Sequence, residues 1–229
     1  MTQFYQQEDK LLVSVDCIIL GFKDNEVNVL VIKRKFEPLQ GECSLMGGFV
    51  REKESLNKTV TRVVHEYTGI DNVYMEQVGA YGDVSRDKGE RVISIVYYAL
   101  INMELFDQQL ETKHNAEWVN INRMKPLVFD HNQFVEDTIR LLRRRTATRP
   151  IGFNLLPEKF TLPQLQSLYE AIYQRPLDKR NFRKKVFEMD ILEKLDEKDR
   201  TSSKRGAFLY KFNKEKYDLL LEEGFYFSL

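Results

Sequence analysis

Cysteine, net charge and long apolar runs are what this sequence is short of. Only Cys17 and Cys43 occur in 229 residues, at no metal-ligand spacing, so the expectation is two buried thiols rather than a disulfide framework or a cysteine-held metal. Lys+Arg and Asp+Glu both number 35, so no global charge points to nucleic acid or a membrane, and local patterning must decide. No apolar run approaches the ~20 residues of a membrane span, and residues 1–10 lack the charged-then-apolar layout of a signal peptide. A cytoplasmic protein with no membrane partner is expected. What is plentiful is core material: 42% hydrophobic residues, with 15 Phe and 11 Tyr, suffice for one large domain or two modest ones.

Residues 48–70 organise the first half. Gly47 and Gly48 permit a tight turn, and Gly69 stands where a helix ends in a left-handed residue, which predicts a helix from about Ser55 to Tyr67. Leu56, Val60, Val63, Val64 and Tyr67 recur at helical spacing on one side, with Arg62 and Glu66 one turn apart on the flank. This stretch resembles the Nudix box: Gly48, then Glu54, Arg62, Glu66 and Gly69 at the family's spacing. In Nudix hydrolases the helical carboxylates of that box hold a divalent metal against a substrate diphosphate. Here Val63 and Tyr67 stand at two of the three helical carboxylate positions, and Glu66 alone is a poor basis for an octahedral magnesium shell. The expectation is a Nudix fold without catalytic residues, metal or other cofactor.

Around the box, residues 11–20 and 27–33 read as strands joined by a turn at 23–26. Asp16 shares a face with Ser14 and Ile18, opposite Val13, Val15 and Cys17, which puts it either on a polar sheet face or in a pocket. The basic run at residues 33–35 reads as a solvated strand end. Residues 73–81 and 91–101 read as strands around a polar loop containing Arg86 and Asp87, and residues 115–119 as a further strand with Trp118 packing. These segments, and the Phe129-Asp130-His131 turn, resemble the ADP-ribose-pyrophosphatase branch of the Nudix proteins. Asp130 reads as the N-cap of a helix from about Gln133 to Arg145.

The composition changes sharply at residues 143–150, and the domain boundary is placed there, at 148/149. Charge does not separate the halves, with 20 basic and 22 acidic residues through Pro150 against 15 and 13 beyond. Thr161 and Gln164 form a capping box with an early proline, Pro163, opening a helix with Leu165, Leu168, Tyr169 and Ile172 on one side. Asp178 caps a second helix, and Leu177 with Phe182 make its hydrophobic staple. Six basic residues and one acid lie between Arg175 and Lys185, on the second helix of a helix-turn-helix layout. Strands at 191–197 and 207–212 around a basic tip complete a winged helix, and residues 214–223 read as a last helix.

The whole layout resembles the Nudix-related (NrtR-like) transcriptional regulators, and most closely the arabinose-responsive (AraR-type) regulators of Bacteroidetes-type bacteria. The resemblance implies an α+β fold, with a Nudix α/β/α sandwich on a mixed sheet at 1–148 and a winged helix-turn-helix at 149–229. It implies a homodimeric repressor of pentose-utilisation genes, released from palindromic double-stranded operator DNA when L-arabinose binds the Nudix domain. Regulation of NAD metabolism by ADP-ribose is the alternative. An active pyrophosphatase, which would need Glu52 or Glu54 beside Glu66, and an architectural DNA-binding protein are further ones. Asp16, Lys33, Gln40, Glu66 and Asp83 are the candidate effector contacts. Lys179, Arg180, Asn181, Arg183 and Lys184, with Lys204 and Arg205 of the wing, are the candidate DNA contacts.

Overall fold

The structure, a computed structural model, describes residues 7–106, 108–200 and 206–229. Its first two strands, β1 (Leu12–Lys23) and β2 (Glu26–Lys33), form a hairpin. Asp24 and Asn25 take φ of 53° and 60°, the left-handed pair that a two-residue turn between twisted strands needs. Two short strands follow, β3 (Cys43–Ser44) and β4 (Met46–Phe49). Next comes α1 (Leu56–Thr68), capped by Ser55, whose Oγ accepts the Lys58 N–H at 3.3 Å, and closed by Gly69 at φ 70°. β5 (Tyr74–Tyr81), β6 (Val92–Ile101), the short α2 (Gln108–His114), β7 (Ala116–Asn120) and α3 (His131–Thr148) complete the first domain.

β1 is the central strand. It pairs parallel with β6, and on its other edge it changes partner, from β4 at residues 14–17 to β2 at residues 20–23. The remaining pairs are antiparallel, giving the expected mixed sheet in the order β3-β2-β1-β6-β5, with β4 on β1 and β7 on β2. Strand alternation sends Val15, Cys17 and Ile19 to one face, where Val60, Val63 and Val64 of α1 cover them. Ile18 and Leu20 point to the other face, towards Phe134 and Leu142 of α3.

The second domain is the expected winged helix. β8 (Phe160–Thr161) leads into α4 (Leu162–Tyr173), where the Thr161 Oγ1 accepts the Gln164 N–H and the Gln164 Oε1 accepts the Thr161 N–H, a complete capping box. α5 (Lys179–Glu188) follows, then β9 (Leu192–Asp199), β10 (Ala207–Phe212) and α6 (Lys214–Glu222). The three strands pair in the order β8-β10-β9.

Two features depart from the sequence pattern. No periodic signal announces α2. And α3 runs to Thr148, beyond the Arg145 end expected, because the arginine-rich stretch that reads as a linker continues the helix. Thr146 is buried there, with its hydroxyl on the Leu142 carbonyl at 2.8 Å, and helix geometry stops only at Arg149, the residue before Pro150. The helix ends at that point but the packing does not. Leu165 and Leu168 of α4 belong to one apolar core with Val27, Val29 and Val31 of β2, so the winged helix lies directly on the Nudix sheet.

Candidate functional site

A cleft with a cavity of about 150 Å³ opens at the N-terminal end of β1, on the face that α3 covers. Asp16 forms its floor and is 8% exposed. Its carboxylate accepts hydrogen bonds from the hydroxyls of Ser94 and, at 3.3 Å, Ser14. Gly47, across the β1–β4 pair, sits so close that a Cβ there would collide with the Asp16 carboxylate, which explains glycine at this position. His131, the first residue of α3, closes the back of the cleft with its Nε2 3.8 Å from Asp16 Oδ1. The Leu45 N–H donates to His131 Nδ1 at 3.2 Å, which fixes the proton of the neutral ring on Nε2, facing Asp16. Burial pushes the His131 pKa down, outweighing the nearby carboxylate of Asp16, so the ring is neutral near pH 7.

Two arginines and two phenylalanines make the walls. Arg86, from the loop between β5 and β6, holds Asp130 bidentately, Nε to Oδ2 at 2.9 Å and Nη2 to Oδ1 at 2.8 Å. Arg34 lies between the rings of Phe36 and Phe129, at 4.6 and 5.2 Å from their centroids, and its Nε donates to the Pro38 carbonyl. Phe129 takes φ 53°, a left-handed backbone costing a bulky residue roughly 1–3 kcal/mol, which is the kind of strain kept at ligand sites. Tyr67 of α1 and the half-exposed Phe49 complete the mouth.

Of the expected effector contacts, the structure brings Asp16 into the cleft and places the other four outside its lining. Lys33 is exposed because strand alternation turns it away from Ile32, and it is the next residue in that direction, Arg34, that reaches the cleft. Glu66 is exposed on α1, where Tyr67 turns inward instead. Gln40 is on an exposed loop, and the Asp83 carboxylate is occupied by the backbone and hydroxyl of Ser85 at 2.9 and 2.8 Å. Asp130 stands at the N-cap of α3, yet it makes no side-chain cap bond, since Arg86 takes both oxygens.

Two of the box residues, Val63 and Glu54, serve structure. Val63 is 1% exposed in the core beneath the sheet. Glu54 is held by Arg62 at 2.8 and 2.9 Å, and those hydrogen bonds pull its pKa down to about 2. Among the described residues no three His, Cys, Asp or Glu side chains cluster so as to hold a metal ion. A larger open groove, about 920 Å³, runs along the domain junction; of its four lining cations, Arg145 and Lys211 are paired with Glu76 and Glu158, and Arg149 and Lys214 complete the set. The smaller cleft is the candidate site because it gathers a buried carboxylate, a buried histidine, two guanidiniums and aromatic walls at one point.

On the second domain, Phe182 and Val186 anchor α5 in the core beside Tyr169 of α4, and this rotates Lys179, Arg180, Asn181 and Lys184 outward, with Arg183 half-buried. The turn before α5 is braced. The Leu177 N–H donates to the Glu170 carboxylate at 2.9 Å, and the Gln166 amide donates to Glu170 and to the Leu177 carbonyl at 3.0 and 3.1 Å. Phe187, next to the basic surface, is half-covered by Tyr210 of the wing hairpin. Lys204 and Arg205 lie outside the described residues.

A Nudix sheet with a polar cleft, fused to a winged helix with an exposed basic helix, defines a sensor domain joined to a nucleic-acid-binding domain. Residues 10–140 match the NUDIX domain, and residues 152–212 match the NrtR DNA-binding winged helix domain. The chain is 32% identical over 220 residues to the ADPR responsive transcriptional repressor NtrR of Acinetobacter baylyi, covering 93% of this chain and 88% of that protein. It superposes on the crystal structure of Shewanella oneidensis NrtR complexed with a 27mer DNA with a TM-score of 0.77 and 30% identity, over 87% of this chain and 93% of that one. Its Nudix part is 36% identical over 129 residues to an ADP-ribose pyrophosphatase of Methanocaldococcus jannaschii, covering 56% of this chain and 73% of that protein. The chain belongs to the NrtR-type family of Nudix and winged-helix transcriptional regulators.

Proposed function

We infer that this protein is a cytoplasmic transcriptional repressor that responds to ADP-ribose and works as a homodimer on palindromic operator DNA. The observation that carries the choice of effector is the cleft itself, where two guanidiniums, Arg34 and Arg86, and two phenylalanine rings converge above a buried carboxylate. Guanidiniums match phosphate oxygens, exposed rings stack on a base, and Asp16 accepts from a ribose hydroxyl. L-Arabinose, the effector suggested by the AraR-type resemblance, would use the carboxylate and offer no anionic counterpart to Arg34, which lies between the Phe36 and Phe129 rings. The Acinetobacter ADPR responsive repressor and the Methanocaldococcus ADP-ribose pyrophosphatase also favour ADP-ribose over a pentose.

The Nudix domain acts here as a receptor without hydrolase activity. Val63 is buried, Glu54 is committed to Arg62, and Glu66 points to solvent, so the box does not present a set of carboxylates to a metal-bound diphosphate. On the DNA side, Lys179, Arg180, Asn181, Arg183 and Lys184 enter the major groove with α5, and the wing, including Lys204 and Arg205, follows the backbone.

Isothermal titration of the wild type and Arg34→Ala with ADP-ribose and with L-arabinose tests the assignment. Binding of ADP-ribose by the wild type, weakened in Arg34→Ala, is expected. Binding of L-arabinose with no response to ADP-ribose would restore the pentose assignment, and magnesium-dependent turnover of ADP-ribose would make the protein an enzyme.

A further inference from the structure

Three polar ties lie along one side of α3. Asp130, Asp137 and Arg145 are seven and eight residues apart, close to two helical turns each, and so form a single stripe. Each is bound to β5 or to the loop that follows it. Arg86 holds Asp130 bidentately, the Tyr81 hydroxyl donates to Asp137 at 2.8 Å, and Arg145 Nε donates to Glu76 at 2.6 Å. Elsewhere on the same helix, Arg143 Nε donates at 2.8 Å to the carbonyl of Ile172, in the last turn of α4. α3 thus begins in the effector cleft, is fastened along β5, and ends holding the helix that precedes the recognition helix.

The first of these ties is the one a ligand can reach. Arg86 lines the cleft, and its side chain is only 4% exposed, so its charge requires a partner in any state of the protein. A bidentate guanidinium serves carboxylate and phosphate equally well. Asp130 is 27% exposed, and on losing Arg86 it can be rehydrated.

We propose that Arg86 is the residue through which the effector is read out: it holds Asp130 in the DNA-binding state, and a diphosphate ligand in the cleft takes it from Asp130. Loss of that tie loosens α3 from β5, and the Arg143 to Ile172 hydrogen bond passes the movement to α4 and α5. This rests on the ADP-ribose assignment above. In linkage terms the three ties belong to the DNA-competent state, and the ligand binds better to the state that lacks them.

The test is titration of the full-length wild type, Asp130→Asn and Tyr81→Phe with ADP-ribose and inorganic pyrophosphate, with operator affinity measured in parallel. Asp130→Asn removes the competitor for Arg86, so ADP-ribose binds it roughly tenfold more tightly while operator binding weakens, a shift within the usual range of allosteric coupling. A merely structural clamp gives the opposite sign, because an unfastened loop binds the ligand less well. Tyr81→Phe, outside the cleft lining, shifts both affinities in the same directions by a smaller factor, and it carries the test if Asp130→Asn does not fold. Equal or weaker ADP-ribose binding by the folded variants, beside a wild type that binds, overturns the proposed role of Arg86 alone. A wild type that binds neither ADP-ribose nor pyrophosphate overturns the effector assignment as well.

Discussion

Arg180→Ala isolates the DNA-binding face of the protein. Arg180 is exposed near the start of α5, where Asp178 caps the helix through the Asn181 N–H at 2.8 Å, so truncation leaves the cap and the Phe182 and Val186 anchors intact. The unfolding free energy should therefore stay within the small range typical of surface substitutions, about ±0.5 kcal/mol. If Arg180 neutralises one phosphate per recognition helix, each copy lost lowers the slope of log K against log salt by ~0.9, or ~1.8 for the two copies on an operator. Fluorescence anisotropy of a labelled duplex between 50 and 200 mM salt, ordinary bench conditions for such slopes, reads this directly. Lys184, already 3.8 Å from Glu188, should show a smaller effect on truncation. An unchanged affinity and slope for Arg180→Ala would mean that α5 does not face the DNA.

Other perturbations test the framework around the two sites. Glu170→Ala strips the acceptor from the Leu177 N–H, which should cost about 1–3 kcal/mol in urea unfolding and weaken operator binding through the loosened turn. Gly47→Ala drives a Cβ against the Asp16 carboxylate and to 3.0 Å from the Val15 carbonyl oxygen, so a loss of about 1–3 kcal/mol and of ADP-ribose binding is expected; wild-type melting and binding would refute the close approach. Glu54, drawn down to about 2 by Arg62 from an ordinary 4.5, contributes stability that is complete above pH 4.5 and is lost as the pH falls towards 2. Glu54→Gln should accordingly flatten the stability profile across that acid window, and a profile as steep as that of the wild type would count against the Arg62 pairing. His131, whose pKa is lowered by burial, has the same sign: as the pH falls below 6.5 the unfolded chain takes up a proton that the folded chain refuses, so His131→Gln should lose less stability on moving from pH 7 to pH 5.5.

Local signals carried most of the fold. The Thr161–Gln164 capping box, the Asp178 cap and the left-handed Gly69 are settled within a few residues, and the elements they bound stand where the sequence puts them. Face parity along β1 also put Asp16 beside Ser14, though the sequence left open whether that face was a pocket, because the helix that buries it begins 115 residues later, at His131. The cleft was less legible for the same reason. Arg34, Arg86 and the Phe129–His131 turn come from three separate segments, and no local period marks any of them. Arg86 and Asp130 are 44 residues apart, and each read as a loop or cap residue until the fold joined them. In the basic run at 33–35 the sequence points to Lys33 while Arg34 lines the cleft, one residue on, the shift that reverses a side chain on a strand. Only the last turn of α3, beyond Arg145, was hidden by its arginines, which resemble a linker in composition while Thr146 just past them is buried.

Coupling between the Nudix cleft and the winged helix is measured most directly by a closed binding cycle: operator affinity with and without saturating ADP-ribose, and ADP-ribose affinity with and without operator. The prediction is that each ligand weakens the other by the same factor, that L-arabinose leaves operator binding untouched, and that ADP-ribose is recovered intact in the presence of magnesium. Operator affinity unchanged by bound ADP-ribose, or abolished by L-arabinose instead, would contradict it.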